Sequence, residues 1–176
     1  MIGVPHIWTL RAELVEFLFW LDRRNHEVMI YLSWWRPIPF NRNKIIAKFN
    51  TTDCTHLMMV DSDIEPPRDV LKLVDHDVDI VSADIHTNLG TEIIKLWMQK
   101  QSDWWYKSKP IIRYWLDEVD ACWTWCLLLS RKIVEELKEF KTDREDFEFC
   151  ERAIEHWYKI HYDASLTCKH YVTYPI

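Results

Sequence analysis

Glycine is nearly missing from this sequence: two residues in 176, so its loops have little of the backbone freedom that a residue without Cβ supplies. Long apolar runs are lacking as well. Stretches such as Leu57 to Val60 and Cys126 to Leu129 fall far short of the roughly 20 residues needed to span a bilayer, and no transmembrane segment is expected. No CxxC pair occurs, and the five cysteines, Cys54, Cys122, Cys126, Cys150 and Cys168, are an odd number. Neither a disulfide framework nor a zinc ribbon is signalled, and small buried apolar residues are expected instead. An excess of positive charge is absent too. Against 28 Asp plus Glu stand 22 Lys plus Arg, for a net charge of -6; this argues against nucleic acid as a partner held on a broad basic surface and leaves room for a local basic pocket. Met1 leads straight into Ile2-Gly3-Val4-Pro5 with no basic or apolar leader region, so a cytoplasmic location is the expectation.

What is present is apolar and aromatic material: 48% apolar residues, eleven of them tryptophan. That suffices for one compact domain over residues 1–176, with large flat surfaces for core packing or ligand stacking. Ile2 to Pro5 is a short strand candidate, followed by Thr9 to Arg24 with Leu10, Leu14, Phe17, Leu18 and Leu21 on one helical stripe. The pattern repeats in Val28 to Leu32 and the helical Asn41 to Phe49, then in the unalternating apolar run His56 to Val60 and a helix opened by Pro66-Pro67. Asp79 to Ala83 reads as the next strand. Successive β-α units predict an open, mostly parallel sheet flanked by helices.

From 84 to 118 the regularity falls away into short β-prone pieces carrying Trp97, Trp104, Trp105, Tyr106 and Trp115, read as an aromatic insertion lining a cleft. Order returns with a strand over Cys122 to Leu129, helices over Arg131 to Phe140 and Glu145 to Trp157, and strand-like pieces at Tyr158 to Tyr162 and Leu166 to Tyr171.

In an open α/β sheet, ligands bind beyond the carboxyl ends of the strands. Asp61, Ser62, Asp63 and Glu65 occupy that place after the apolar third strand. Two carboxylates separated by one residue in a turn offer hard oxygen ligands to Mg2+ or Mn2+ and leave positions for phosphate oxygens. Alone, an Asp-x-Asp is commonplace, since aspartate favours turns and helix starts. Glu145 and Asp146 likewise sit where negative charge simply suits a helix N-terminus.

The surroundings add to this. His56 to Pro67 resembles the strand, DxD turn and following helix of the GT-A glycosyltransferases, particularly family 2-like members. Val4-Pro5-His6 is similar to their first strand and its nucleotide-binding end, and Asn41-Arg42-Asn43 resembles a segment upstream of DxD. Thr142 to Ala153 resembles their acidic ED motif, and Lys169-His170-Tyr171 a terminal histidine strand. The order and spacing of these matches cover most of the chain outside the aromatic middle. The small size and scarce glycine look more like a minimal viral or archaeal member than a large synthase.

The resemblance implies a GT-A type nucleotide-binding α/β/α three-layer sandwich. It also implies a metal-dependent transfer of sugar, inverting at the anomeric carbon, from a UDP- or GDP-sugar to a hydroxyl of a glycan, protein or lipid-linked acceptor. It further implies that Pro5, His6, Arg42, Asn43, Asp61 and Ser62 hold the nucleotide, that Asp61, Asp63 and His170 hold Mn2+ or Mg2+, and that Asp146, seconded by Glu145, is the general base. The family's usual aspartate after the second strand is replaced by Ser33-Trp34-Trp35, which leaves the base of the nucleotide open. Two other classes stand beside this reading. One is a non-catalytic module using Trp104 and Trp105 to hold glycans or a partner, and the other a metal-dependent nucleotidyltransferase or phosphohydrolase.

Overall fold

The structure, a computed structural model, describes residues 1–6, 9–34, 37–89, 92–94, 97–102, 105–108, 116–141 and 144–171. In chain order the first elements are β1 (Ile2–His6), α1 (Ala12–Trp20), β2 (Ile30–Trp34), α2 (Ile38–Phe49), β3 (His56–Val60), β4 (Ile64–Glu65) and a 3-10 helix (Val70–His76). There follow β5 (Ile80–Leu89), β6 (Glu92–Ile94), β7 (Trp97–Ser102), β8 (Trp105–Ser108), β9 (Leu116–Val119), β10 (Ala121–Cys122) and β11 (Cys126–Ser130). The chain closes with α3 (Arg131–Leu137), α4 (Glu145–Glu155) and β12 (Ile160–His170).

The main sheet runs β2-β1-β3-β11-β5-β12-β4. β2, β1 and β3 are parallel, β12 is parallel to β5, and β11 runs against both of its neighbours, β3 and β5. Each central strand is apolar on both faces because both are covered. Leu57, Met59, Leu127, Leu129 and Ile80 pack into a core with residues of α2, α3 and α4. Their alternates Met58, Val60, Leu128, Val81 and Ala83 pack with residues of α1 and the 3-10 helix. The period of two along each strand thus divides the interior into two cores, which is the physical content of a three-layer sandwich.

One of the two glycines has a steric reason. A Cβ on Gly3 would lie 2.2 Å from Cγ2 of Ile45, so α2 reaches β1 only because that atom is missing. With glycine so scarce, Arg24, Asn25, Asp77, Lys138 and Trp157 take positive φ instead.

The structure redraws several boundaries. The strand expected over 122–129 is two strands separated by a turn at Trp123 to Trp125, because the backbone N–H and hydroxyl of Thr124 both donate to Asp146 Oδ1 and leave no donor for a ladder. The two closing pieces are one strand, β12, with a register shift between Asp163 and Thr167. There the buried Asp163 accepts from Ser165 and meets His76 Nε2 at 2.7 Å. The stretch read as irregular contains strands: β5 continues to Leu89, and β7 and β8 form a separate small sheet with β10. Trp104 and Trp115 lie outside the described residues, as do the side chains of Trp97 and Trp105. All five cysteines are free thiols, four of them buried. No helix among the described residues is long and apolar enough to cross a membrane.

Candidate active site

β3 delivers Asp61 to the carboxyl end of the sheet, and the turn after it is fixed at three points. Asp61 N–H donates to Trp125 O at 3.0 Å, Ile64 N–H to Asp61 O at 3.1 Å, and Tyr171 N–H to Asp63 O at 2.9 Å. The short β4 then pairs with the far end of β12, His170 opposite Ile64. This pairing brings His170 Nε2 to 3.4 Å from Asp63 Oδ2, with the Trp125 ring 4.5 Å from the imidazole.

Arg42, on the face of α2 turned to the sheet, is 1% exposed. It donates twice to the Asp61 carboxylate, at 2.8 and 3.1 Å, and its Nε lies 4.0 Å from Glu145 Oε1. A buried guanidinium requires such partners. Burial weakens its hold on the proton, but Asp61 and Asp146 more than restore it, and its pKa is raised. Burial also lifts the Asp61 carboxyl, against the pull of Arg42.

Asp146, in the first turn of α4, is buried against Thr124. That burial pushes its pKa up to about 6, the Arg42 charge and the Thr124 hydrogen bond opposing and the carboxylates of Glu145 and Asp61 adding to the rise. Asp61, Arg42, Glu145 and Asp146 share the lining of one cleft of about 400 Å³, and Trp123, Trp125 and Phe147 form its aromatic wall. The Trp123 ring stands 5.0 Å from Trp125 and 5.3 Å from Phe147.

Two segments far apart in sequence, the turn after β3 and the start of α4, are therefore brought to one cavity with a buried cation between them. Buried polar groups are almost always hydrogen-bonded. Among the described residues, His6 Nδ1, Arg42 Nε and Trp123 Nε1 are buried side-chain atoms without a hydrogen-bond partner. Two of the three belong to the lining of this cleft, where a ligand has polar groups left to meet.

The other anticipated residues divide. Ser62 lies in the turn between Asp61 and Asp63, where it is partly buried. Pro5 and His6 end β1 opposite Ser33 and Trp34 and do not line the cleft; the His6 carbonyl accepts from Asn41 Nδ2 at 2.9 Å. Asn43 is committed elsewhere, donating to Phe140 O at 2.9 Å and accepting from Phe140 N–H at 2.7 Å. It pins the segment after α3 and is not among the residues that line the cleft.

The implied metal triad does not form as such, because the Asp61 carboxylate is turned to Arg42 while Asp63 and His170 meet. Among the described residues no group of three or more His, Cys, Asp or Glu is arranged to hold a metal. Sequence reasoning missed Trp123, Thr124 and Trp125, having absorbed them into a strand. The available signal was a lone threonine between two tryptophans in an apolar run.

No protein-family model matches the chain, and no curated protein matches its sequence. Solved structures do match. The crystal structure of A197 from STIV has a TM-score of 0.69 and 18% identity, over 98% of this chain and 85% of that one. GalNAc-T7, solved with UDP, GalNAc and Mn2+, also has a TM-score of 0.69, with 11% identity over 96% of this chain; the chain spans only 43% of that protein. The inositol-1-phosphate CTP transferase from T. maritima has a TM-score of 0.55 and 10% identity, over 97% of this chain and 88% of that one. At such identities the likeness speaks for the fold, and this chain folds as a GT-A type α/β/α sandwich.

Proposed function

We propose that this chain is a glycosyltransferase that moves a sugar from a UDP- or GDP-sugar to an acceptor hydroxyl, with inversion. The observation that carries the reading is the convergence of Asp61, Arg42, Glu145 and Asp146 on one cleft. In this reading a turn facing the diphosphate and a buried carboxyl base stand on either side of a space large enough for substrate. GalNAc-T7, of similar fold, was solved with UDP, GalNAc and Mn2+, which supports a nucleotide-sugar donor here.

Asp63 and His170 supply one carboxylate oxygen and one imidazole nitrogen 3.4 Å apart, a donor set that suits Mn2+ or Mg2+ with several positions left for oxygen ligands. A bound ion would offset the diphosphate charge and stabilise it on departure. Arg42 holds Asp61 in place and lowers the negative charge of the cleft floor. Thr124 fixes the Asp146 carboxyl through Oδ1, leaving Oδ2 to accept the proton of the acceptor hydroxyl as the new bond to the sugar forms. Trp123, Trp125 and Phe147 keep the wall of the cleft apolar and limit water.

A screen of UDP- and GDP-sugars with Mn2+, read by mass detection of free nucleoside diphosphate, tests this. Release of UDP or GDP is expected. Release of pyrophosphate instead would identify a nucleotidyltransferase, and inertness with every donor would sink the enzyme reading.

A further inference from the structure

A second hollow, of about 570 Å³ against about 400 Å³ for the cleft, lies at the other end of the sheet: His56, which lines it, is the first residue of β3, whereas Asp61 comes after the last. Its floor is the loop into β5 with Asp77 and Asp79, and its sides come from α3 and the junction of α4 with β12. The proposed transfer reaction makes no use of it.

Trp157 stands on its rim, 94% exposed. It is the residue just past the end of α4, where Trp157 N–H donates to Ile154 O and Tyr158 N–H to Ala153 O, and its φ is 65°. Glycine or asparagine normally fills that left-handed position. A tryptophan there is unfavourable twice, once for its Cβ and once for an indole presented almost wholly to water. The fold gains no core contact in return.

Beside it, His156 Nδ1 is held by Glu136 at 2.8 Å and His161 Nδ1 by the carbonyl of Ile80 at 3.3 Å. Both partners only accept, so both Nδ1 atoms donate; in the neutral rings each Nε2 is then an acceptor, without a partner among the described residues. Three carboxylates, Asp77, Asp79 and Glu136, stand against two ammonium groups, Lys132 and Lys159. This near balance disfavours a polyanion such as a nucleotide. No group of His, Cys, Asp or Glu among the described residues has the arrangement of a metal site.

We infer that this hollow is a second binding site, for an uncharged saccharide: the apolar face of one sugar ring stacks on Trp157 and its hydroxyls donate to the imidazoles and carboxylates and accept from the lysines. The inference does not rest on the transferase reading, since it concerns residues at the opposite end of the sheet.

The test is saturation-transfer NMR on the full chain with mannotetraose, maltotetraose and chitotetraose. At least one is expected to bind, about tenfold more weakly in Trp157→Gly, an effect of the size a lost aromatic contact gives, and unchanged in Asp63→Asn at the opposite end of the sheet. Trp157→Gly is also expected to melt no lower than the parent, because glycine suits the left-handed position. No transfer from any of the three saccharides, undiminished binding by Trp157→Gly, or a lower melting temperature for it would each overturn the inference, the last by making Trp157 a structural residue.

Discussion

A carboxyl whose pKa stands at about 6 is mostly ionised at neutral pH yet still basic enough to take a proton from a hydroxyl in the transition state. Asp146→Asn is therefore expected to keep nucleotide affinity and lose about 10²- to 10⁴-fold in turnover, measured by nucleoside diphosphate release. If the proposed transfer holds, kcat/KM of the parent protein should fall as pH drops below about 6. The same raised pKa bears on stability with a definite sign. The folded protein holds this proton more tightly than the unfolded chain, so the contribution is full below the unfolded value of about 4 and is lost as pH rises through about 6. Asp146→Asn should then gain about 1–3 kcal/mol over the parent at pH 8 and little at pH 4, as read by urea unfolding.

Arg42 shows the converse. Its removal strands the Asp61 carboxylate and leaves Glu145 and Asp146 without their nearby cation. Arg42→Met should cost about 3–5 kcal/mol at pH 8 and less at pH 5, where Asp146 is protonated; equal losses at both pH values would contradict the charge account.

Among the elements, the position of α2 decides whether Arg42 reaches Asp61, and that position depends on the bare backbone at Gly3. Gly3→Ala should destabilise by about 1–3 kcal/mol through overpacking against Ile45. The penalty should shrink in an Ile45→Ala background, a coupling that a double-mutant cycle by chemical denaturation would detect. β3 and the end of its run were legible in sequence, because a short apolar stretch without alternation is how a strand covered on both faces reads, and aspartate favours the turn after it. The turn at Trp123 to Trp125 was not. Its apolar flanks look like continuous strand, and only the hydrogen bonds from Thr124 to a residue of α4 interrupt it. Asn43 stands out in sequence only because Asn41-Arg42-Asn43 resembles a segment upstream of DxD; in the fold its amide bonds to the Phe140 backbone, a partner 97 residues away that no local pattern signals.

For the molecule taken together, the decisive quantity is charge. A protein of net charge -6, whose cleft carries Asp61, Glu145 and Asp146 against Arg42 and Arg144, repels a diphosphate unless further positive charge is supplied. Calorimetry with UDP and GDP should accordingly show binding at least about tenfold tighter with Mn2+ than with EDTA, and equal affinities would remove Asp63 and His170 from the site.

Residue order along the chain was enough to read the strand-helix alternation of the first half, the two-faced burial of the central strands and the apolar run that ends on Asp61, because these depend on local periodicity and on the residue at which an apolar run ends. Folding in three dimensions settled the rest: Arg42 takes Asp61, Thr124 rather than a strand neighbour holds Asp146, and His170 reaches Asp63 while Asn43 does not reach the cleft. Those outcomes depend on which side chains the sheet order and its antiparallel strand bring within hydrogen-bond distance, and no spacing along the chain encodes that distance.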